Sequence, residues 1–205
     1  MDGIPLADVA ELPLHESIKR EELNVNEIFQ SWLSRLSHCI EQRSFETAIP
    51  ELFIQDCWWR DIVALSWDIR SKHGHNDIIR YLVASKHTLS SLKTVSSGGL
   101  KPVLMVIGPK VWIQAGFSFE TPHGKGRGVV RLANAGKTEW KAWTVSTQLE
   151  KLKFEEAIEA EQKLHSPHPV LNDINGVNGF NGANGHASLK AEDPQVIIVG
   201  AGQSI

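Results

Sequence analysis

Apolar residues recur at three- and four-residue steps between positions 25 and 40, where Val25, Ile28, Phe29, Trp32, Leu33, Leu36, Cys39 and Ile40 form one stripe. That spacing predicts an amphipathic helix. Asn24 can cap it, and Glu27 can answer as in a capping box. A shorter helix is predicted after Ser44 in SFETAIPELF, with Pro50 limiting its regularity. The aromatics of DCWWRD (56–61) favour a strand. Asn76 can cap a third helix through IIRYLVAS, whose apolar face is Ile78, Ile79, Leu82 and Val83. The period then changes to two. Within VWIQAGFSFE (111–120), Val111, Ile113, Ala115, Phe117 and Phe119 fall on one side, and Trp112, Gln114, Gly116, Ser118 and Glu120 on the other. This is the pattern of a half-buried strand. PHGKGRG turns the chain into GVVRLA, and NAGK turns it into the long strand EWKAWTVSTQL, an antiparallel meander by its short connections. Helices followed by a long antiparallel sheet predict an α+β fold.

Composition sets the limits of this body. All seven tryptophans precede position 150, which places the aromatic core there. Residues 1–22 are acidic and aperiodic and read as a flexible N-terminal arm; residues 23–158 form the α+β domain. The residue types of EKLKFEEAIEAEQKL, starting at Glu150, favour a helix leaving it. Four Asn-Gly pairs at a three-residue repeat between 175 and 185 mark residues 159–193 as a linker. The formal charge of -3 and scattered basic residues exclude the electrostatic stripe that nucleic acid requires. With no apolar run long enough for a bilayer and no basic leader, a cytoplasmic chain without a membrane partner is expected. Cys39 and Cys57 lack metal-ligand spacing and are expected to be buried free thiols.

Residues 194–205 (PQVIIVGAGQSI) have the form of the first strand and turn of a dinucleotide-binding unit. Val196 to Val199 suit a strand buried on both faces. Gly200 permits the tight turn, and Gly202 admits a pyrophosphate. The third glycine of the motif would stand at 205, where this chain has Ile205. The sequence contains neither the following helix nor the acidic residue that would hold the ribose. A truncated start of an FAD-binding domain is the expectation.

Together with WWRDIVALSWDIRSKHG and TPHGKGRGVVRL...WKAWTVSTQLEKLK, the GAGQS after PQVIIV resembles the N-terminal region of fungal flavin-containing monooxygenase-like proteins, from about Leu23 to Ser204. The resemblance implies a cone-shaped, SnoaL-like or nuclear-transport-factor-like α+β domain ahead of a flavoprotein domain. It also implies FAD at the first glycine motif and NADPH at a second. Gly200, Ala201, Gly202, Gln203 and Ser204 are its incomplete FAD motif. Since the rest of both cofactor sites is missing, this chain is expected to bind neither and to lack monooxygenase activity.

A cone of helices over a curved sheet encloses a pocket suited to a small-molecule substrate. The candidate acid-base residues are Asp56, Asp61, Asp68, His73, His75 and His123, with Asp61, Asp68 and His73 foremost and an Asp68 to His73 pairing expected. The competing reading places Trp58, Trp59 and Trp67 in the core, Asp61 against Arg60 or Arg70 or capping a turn, and the KHGHN histidines in a solvated loop. His73 and His75 lack a third ligand, so no metal is expected. GKGRG reads as a basic hairpin loop rather than a phosphate cradle. Besides the truncated oxidoreductase, two function classes stay open: a SnoaL-like binding or isomerase/cyclase-type domain, and a module dimerising through exposed sheet residues such as Trp112.

Overall fold

A computed structural model of the chain describes Leu12 and residues 23–95, 98–136 and 138–155, all within the unit Met1–Ser166. The linker, the terminal glycine motif and all of the arm except Leu12 lie outside the described residues. In chain order the elements are α1 (Val25–Gln42), α2 (Phe45–Leu52), β1 (Phe53–Ile62), β2 (Ile69–His73), α3 (Gly74–Ala84), β3 (Ser90–Thr94), a short 3₁₀ turn (Gly98–Leu100), β4 (Val103–Ile107), β5 (Lys110–Glu120), β6 (Gly124–Gly136) and β7 (Glu139–Leu152). The strands form one sheet in the order β2-β1-β7-β6-β5-β3, with β4 also paired to β5. The fold is α+β, as the pattern predicts. The β5-β6-β7 meander is antiparallel, but β1 joins it parallel to β7.

Helix α1 begins and ends where local chemistry directs. Asn24 Oδ1 accepts from the Glu27 backbone N–H, and its amide donates to the Glu27 carboxylate, so the cap forms with the two side chains bonded to each other. Arg43, at φ 51°, closes α1 by donating its N–H toward the carbonyls of Cys39 and Ile40. Helix α1 buries its apolar stripe against β3, β5 and β7, and α3 packs on β1 and β2. Trp32 Nε1 donates to the Leu52 carbonyl at 3.0 Å and ties α1 to the end of α2. Helix α3 starts earlier than its sequence suggests. Its N-cap is His73 rather than Asn76, and Gly74, at φ 73°, lets β2 turn straight into the helix without a connecting loop.

Aromatic rings make up much of the buried core. Trp59, Phe29, Phe53, Phe117 and Phe119 are fully buried, with Phe53 stacked on Trp59 at 6.0 Å. Room for two of the rings comes from β6. A Cβ at Gly128 would fall 2.2 Å from the Phe117 ring, and one at Gly126 would fall 2.5 Å from Phe119. GKGRG is therefore a strand segment whose glycines receive aromatic rings, not a loop; the hairpin turn is the preceding Thr121–Gly124.

A second buried cluster occupies the other face of the sheet: Trp112, Ala133 and Trp143, covered by Leu12. Its formation depends on a bulge. Arg131 pairs with Thr144 and Leu132 with Ala142, so Trp143 is the extra residue and points away from the main core. Trp112 is 5% exposed and lies beneath Leu12, whose carbonyl accepts from Lys110 Nζ. Trp112 is thus not the exposed dimerisation residue expected. Both cysteines are free and buried, as expected. Burial pushes the Cys57 thiol up to about 12, helped by the nearby Asp56 charge, and burial likewise raises Cys39 against an opposing hydrogen bond with Ser44.

Candidate functional site

Strand β1 carries the chemistry, and its side-chain parity sorts it. Phe53, Cys57, Trp59 and Asp61 are buried, while Asp56 and Trp58 lie on the opposite, partly exposed side. The two aspartates therefore enter different environments.

Asp61 is wholly buried and surrounded by donors. Oδ1 accepts from Thr147 Oγ1 at 2.8 Å, and Oδ2 from the Tyr81 hydroxyl at 2.7 Å and the Leu65 N–H at 3.0 Å. The Ser66 N–H adds a bond at 3.2 Å, and Trp59 Nε1 donates to Thr147 Oγ1 from behind. Thr147 is the residue facing Asp61 across the β1-β7 ladder. One carboxylate thus joins two strands, the turn after β1 and helix α3. In that turn Val63 stands at φ 52°, a left-handed conformation costly for a β-branched side chain. Neither Arg60 nor Arg70 supplies these bonds. The structure shows Asp61 capping the turn, its oxygens accepting from the Leu65 and Ser66 N–H groups. Burial, reinforced by Asp61 and opposed by the Ser66 hydrogen bond, raises the pKa of the Tyr81 hydroxyl above its ordinary value.

Asp68 and His73 are not a pair. The Asp68 carboxylate meets Arg70 at 2.6 Å and accepts from the Ile69 N–H at 2.8 Å. His73 ends β2, a strand absent from the sequence reading, where it faces Trp58 across the ladder. Their rings stack at 4.1 Å and 12°. His73 Nε2 donates to Asp56 Oδ1. Asp56 lies two residues before Trp58, the cross-strand partner of His73, and so stands diagonal to it. Asp56 and His73 are 44% and 46% exposed, open enough to meet a solute.

These two residues line a cleft of about 1160 Å3 with Glu46, Gln55, His75 and Arg80. His75 Nε2 donates to the Ile54 carbonyl at 2.8 Å, which pins the start of α3 to β1. It is a structural histidine, not one of a solvated loop. Asp77 also lines the cleft and pairs with Arg80. Three carboxylates against one guanidinium make the cleft negative, a field that disfavours anionic solutes.

His123 and Trp67 occupy neither site. Trp67 is 61% exposed rather than core, and with His87 and His123 it forms a separate aromatic group built from three loops. Among the described residues no three His, Cys, Asp or Glu side chains converge as metal ligands, and no helix is long and apolar enough to cross a membrane. Gly200, Ala201, Gly202, Gln203 and Ser204 lie outside the described residues. Of the residues sequence reasoning passed over, Tyr81 had a signal: it stands three positions after Ile78, next to the apolar face of α3. His87 had none, since its neighbours are set by tertiary structure alone.

No family model matches the chain, and no curated protein matches it. Solved structures do resemble it. A cystatin-like fold protein from Burkholderia xenovorans is 13% identical, spanning 64% of this chain and 96% of its own, with a TM-score of 0.44. A nuclear transport factor 2-like superfamily protein from Salmonella enterica is 18% identical, over 63% and 93%, with a TM-score of 0.44. Nuclear transport factor 2 from Cryptosporidium parvum is 9% identical, over 68% and 99%, with a TM-score of 0.45.

Proposed function

We propose that the α+β domain is a SnoaL-like small-molecule-binding domain of isomerase or cyclase type, moving a proton on a neutral or cationic substrate in the cleft beside His73. The observation that carries this reading is the Asp56-His73-Trp58 arrangement. A carboxylate that accepts from Nε2–H leaves the imidazole lone pair on Nδ1, and the stacked indole restrains the ring plane. A carboxylate-oriented histidine is a general base suited to neutral pH, and such a base contributes about 10²–10⁴-fold to a proton transfer. The negative cleft selects against phosphate or carboxylate substrates; an uncharged enolisable carbonyl compound is the substrate class we assign to it.

The test is deuterium incorporation from D2O into a panel of cyclic ketones and β-dicarbonyl compounds, followed by NMR with the full chain. Catalysed exchange by the native protein, with a loss of about 10²-fold or more in His73→Gln and a smaller loss in Asp56→Asn, is expected. Absence of exchange across the panel, or native rates in both variants, overturns the reading.

A further inference from the structure

His87 and His123 approach each other from loops 36 residues apart in sequence. His87 follows α3, and His123 lies in the β5-β6 turn. His87 Nδ1 and His123 Nε2 are 3.2 Å apart, with the rings nearly perpendicular at 88°. Both side chains are half-buried. The turn carrying His123 is rigidly made. Thr121 Oγ1 accepts from the N–H groups of His123 and Gly124, the Thr121 N–H donates to the Gly124 carbonyl at 2.8 Å, and the His123 carbonyl accepts from the Lys153 N–H at 2.9 Å. On the other side Leu89, two residues after His87, is buried in the core. The two imidazoles are thus placed by the scaffold.

As free side chains the pair share one hydrogen bond, which requires one ring nitrogen to keep a proton and the other to lack it. A metal ion uses both nitrogens in their neutral form. Tetrahedral zinc holds each imidazole nitrogen at about 2.0–2.1 Å, so two such ligands stand about 3.3 Å apart. The observed separation of 3.2 Å is close to that span. Beside His87 is a smaller cleft of about 290 Å3 lined by Ser66, Trp67, Tyr81 and Lys86. It has room for the water or solute that would complete four-coordination. Imidazole suits zinc, copper and nickel, and the exposed ammonium of Lys86 can turn away into solvent.

We propose that His87 Nδ1 and His123 Nε2 form a two-histidine chelate for a late first-row divalent cation, with its remaining positions open to the cleft beside Trp67. The site is separate from the Asp56-His73 cleft and does not depend on the function proposed there. Trp67 supplies a local reporter, its ring lying 4.9 Å from that of His123.

The experiment titrates the full-length chain, free of any tag, with Cu2+ and separately with Zn2+ at pH 7.5. Calorimetry reads stoichiometry, and the difference in fluorescence quenching between the native chain and Trp67→Phe reads the site. The expected result is one equivalent whose affinity falls at least tenfold in His87→Gln and in His123→Gln, while His73→Gln leaves it unchanged. Cu2+ should bind more tightly than Zn2+. Binding of the same number and strength in the double His87→Gln, His123→Gln variant, or quenching that is unaltered by Trp67→Phe, overturns the proposal. The variants' thermal melts, expected near native because both rings are half-exposed, confirm that folded protein is compared.

Discussion

Asp56 and Asp61 sit five residues apart on one strand and do opposite things. Asp61 shares the inward parity of Cys57 and Trp59 and enters the core, where four donors from three other parts of the fold surround it. Asp56, on the outward parity where the β1-β7 register breaks, bonds to His73 at the rim of an open cleft. Burial makes the first carboxylate a structural hub, because a buried charge persists only if its lone pairs are filled. The second, 44% exposed, stays in reach of a solute. A carboxylate beside tryptophans therefore does not mark a reactive group by itself; the number of donors reaching it decides.

The sharpest way to break this contrast is Asp61→Ala. It strands Tyr81, Thr147 and two backbone N–H groups, and should lower unfolding free energy by about 3–5 kcal/mol in urea titration. A loss below about 1 kcal/mol would mean the hub carries little. Gly128→Ala comes next. Its methyl meets the Phe117 ring, buried in the core near this hub, and the repacking should cost about 1–3 kcal/mol by the same titration. Asp56→Asn should have the smallest effect, within about 1 kcal/mol, since a half-exposed pair adds little stability. A loss as large as that for Asp61 would place Asp56 among the structural groups and remove the distinction between the two.

The same contrast shows how far a one-dimensional pattern reaches. Three helices and the meander are legible because amphipathic periods record which side of an element is buried. Strands β2, β3 and β4 escape that reading. Each has five residues, and their burial is weak and irregular, so the alternation has no room to show. The parity that buries Asp61 is written in FIQDCWWRDI, where Phe53, Cys57, Trp59 and Asp61 share the odd positions. The pairing of His73 with Asp56 instead of Asp68 required β2 to lie beside β1. The burial of Trp112 required Leu12, far away along the chain, to lie across the sheet.

By itself the sequence determined the α+β class, the presence of three helices and of the meander, and the burial of both thiols. These follow from local period and hydrophobicity, which are properties of neighbouring residues. Tertiary structure decided everything with a partner in it: the Asp61 hub, the Asp56-His73 pair, the placing of rings against the β6 glycines, and the meeting of His87 with His123. Each joins residues that are remote along the chain, and their distance is set by sheet register, bulges and loop anchoring, which no local pattern records.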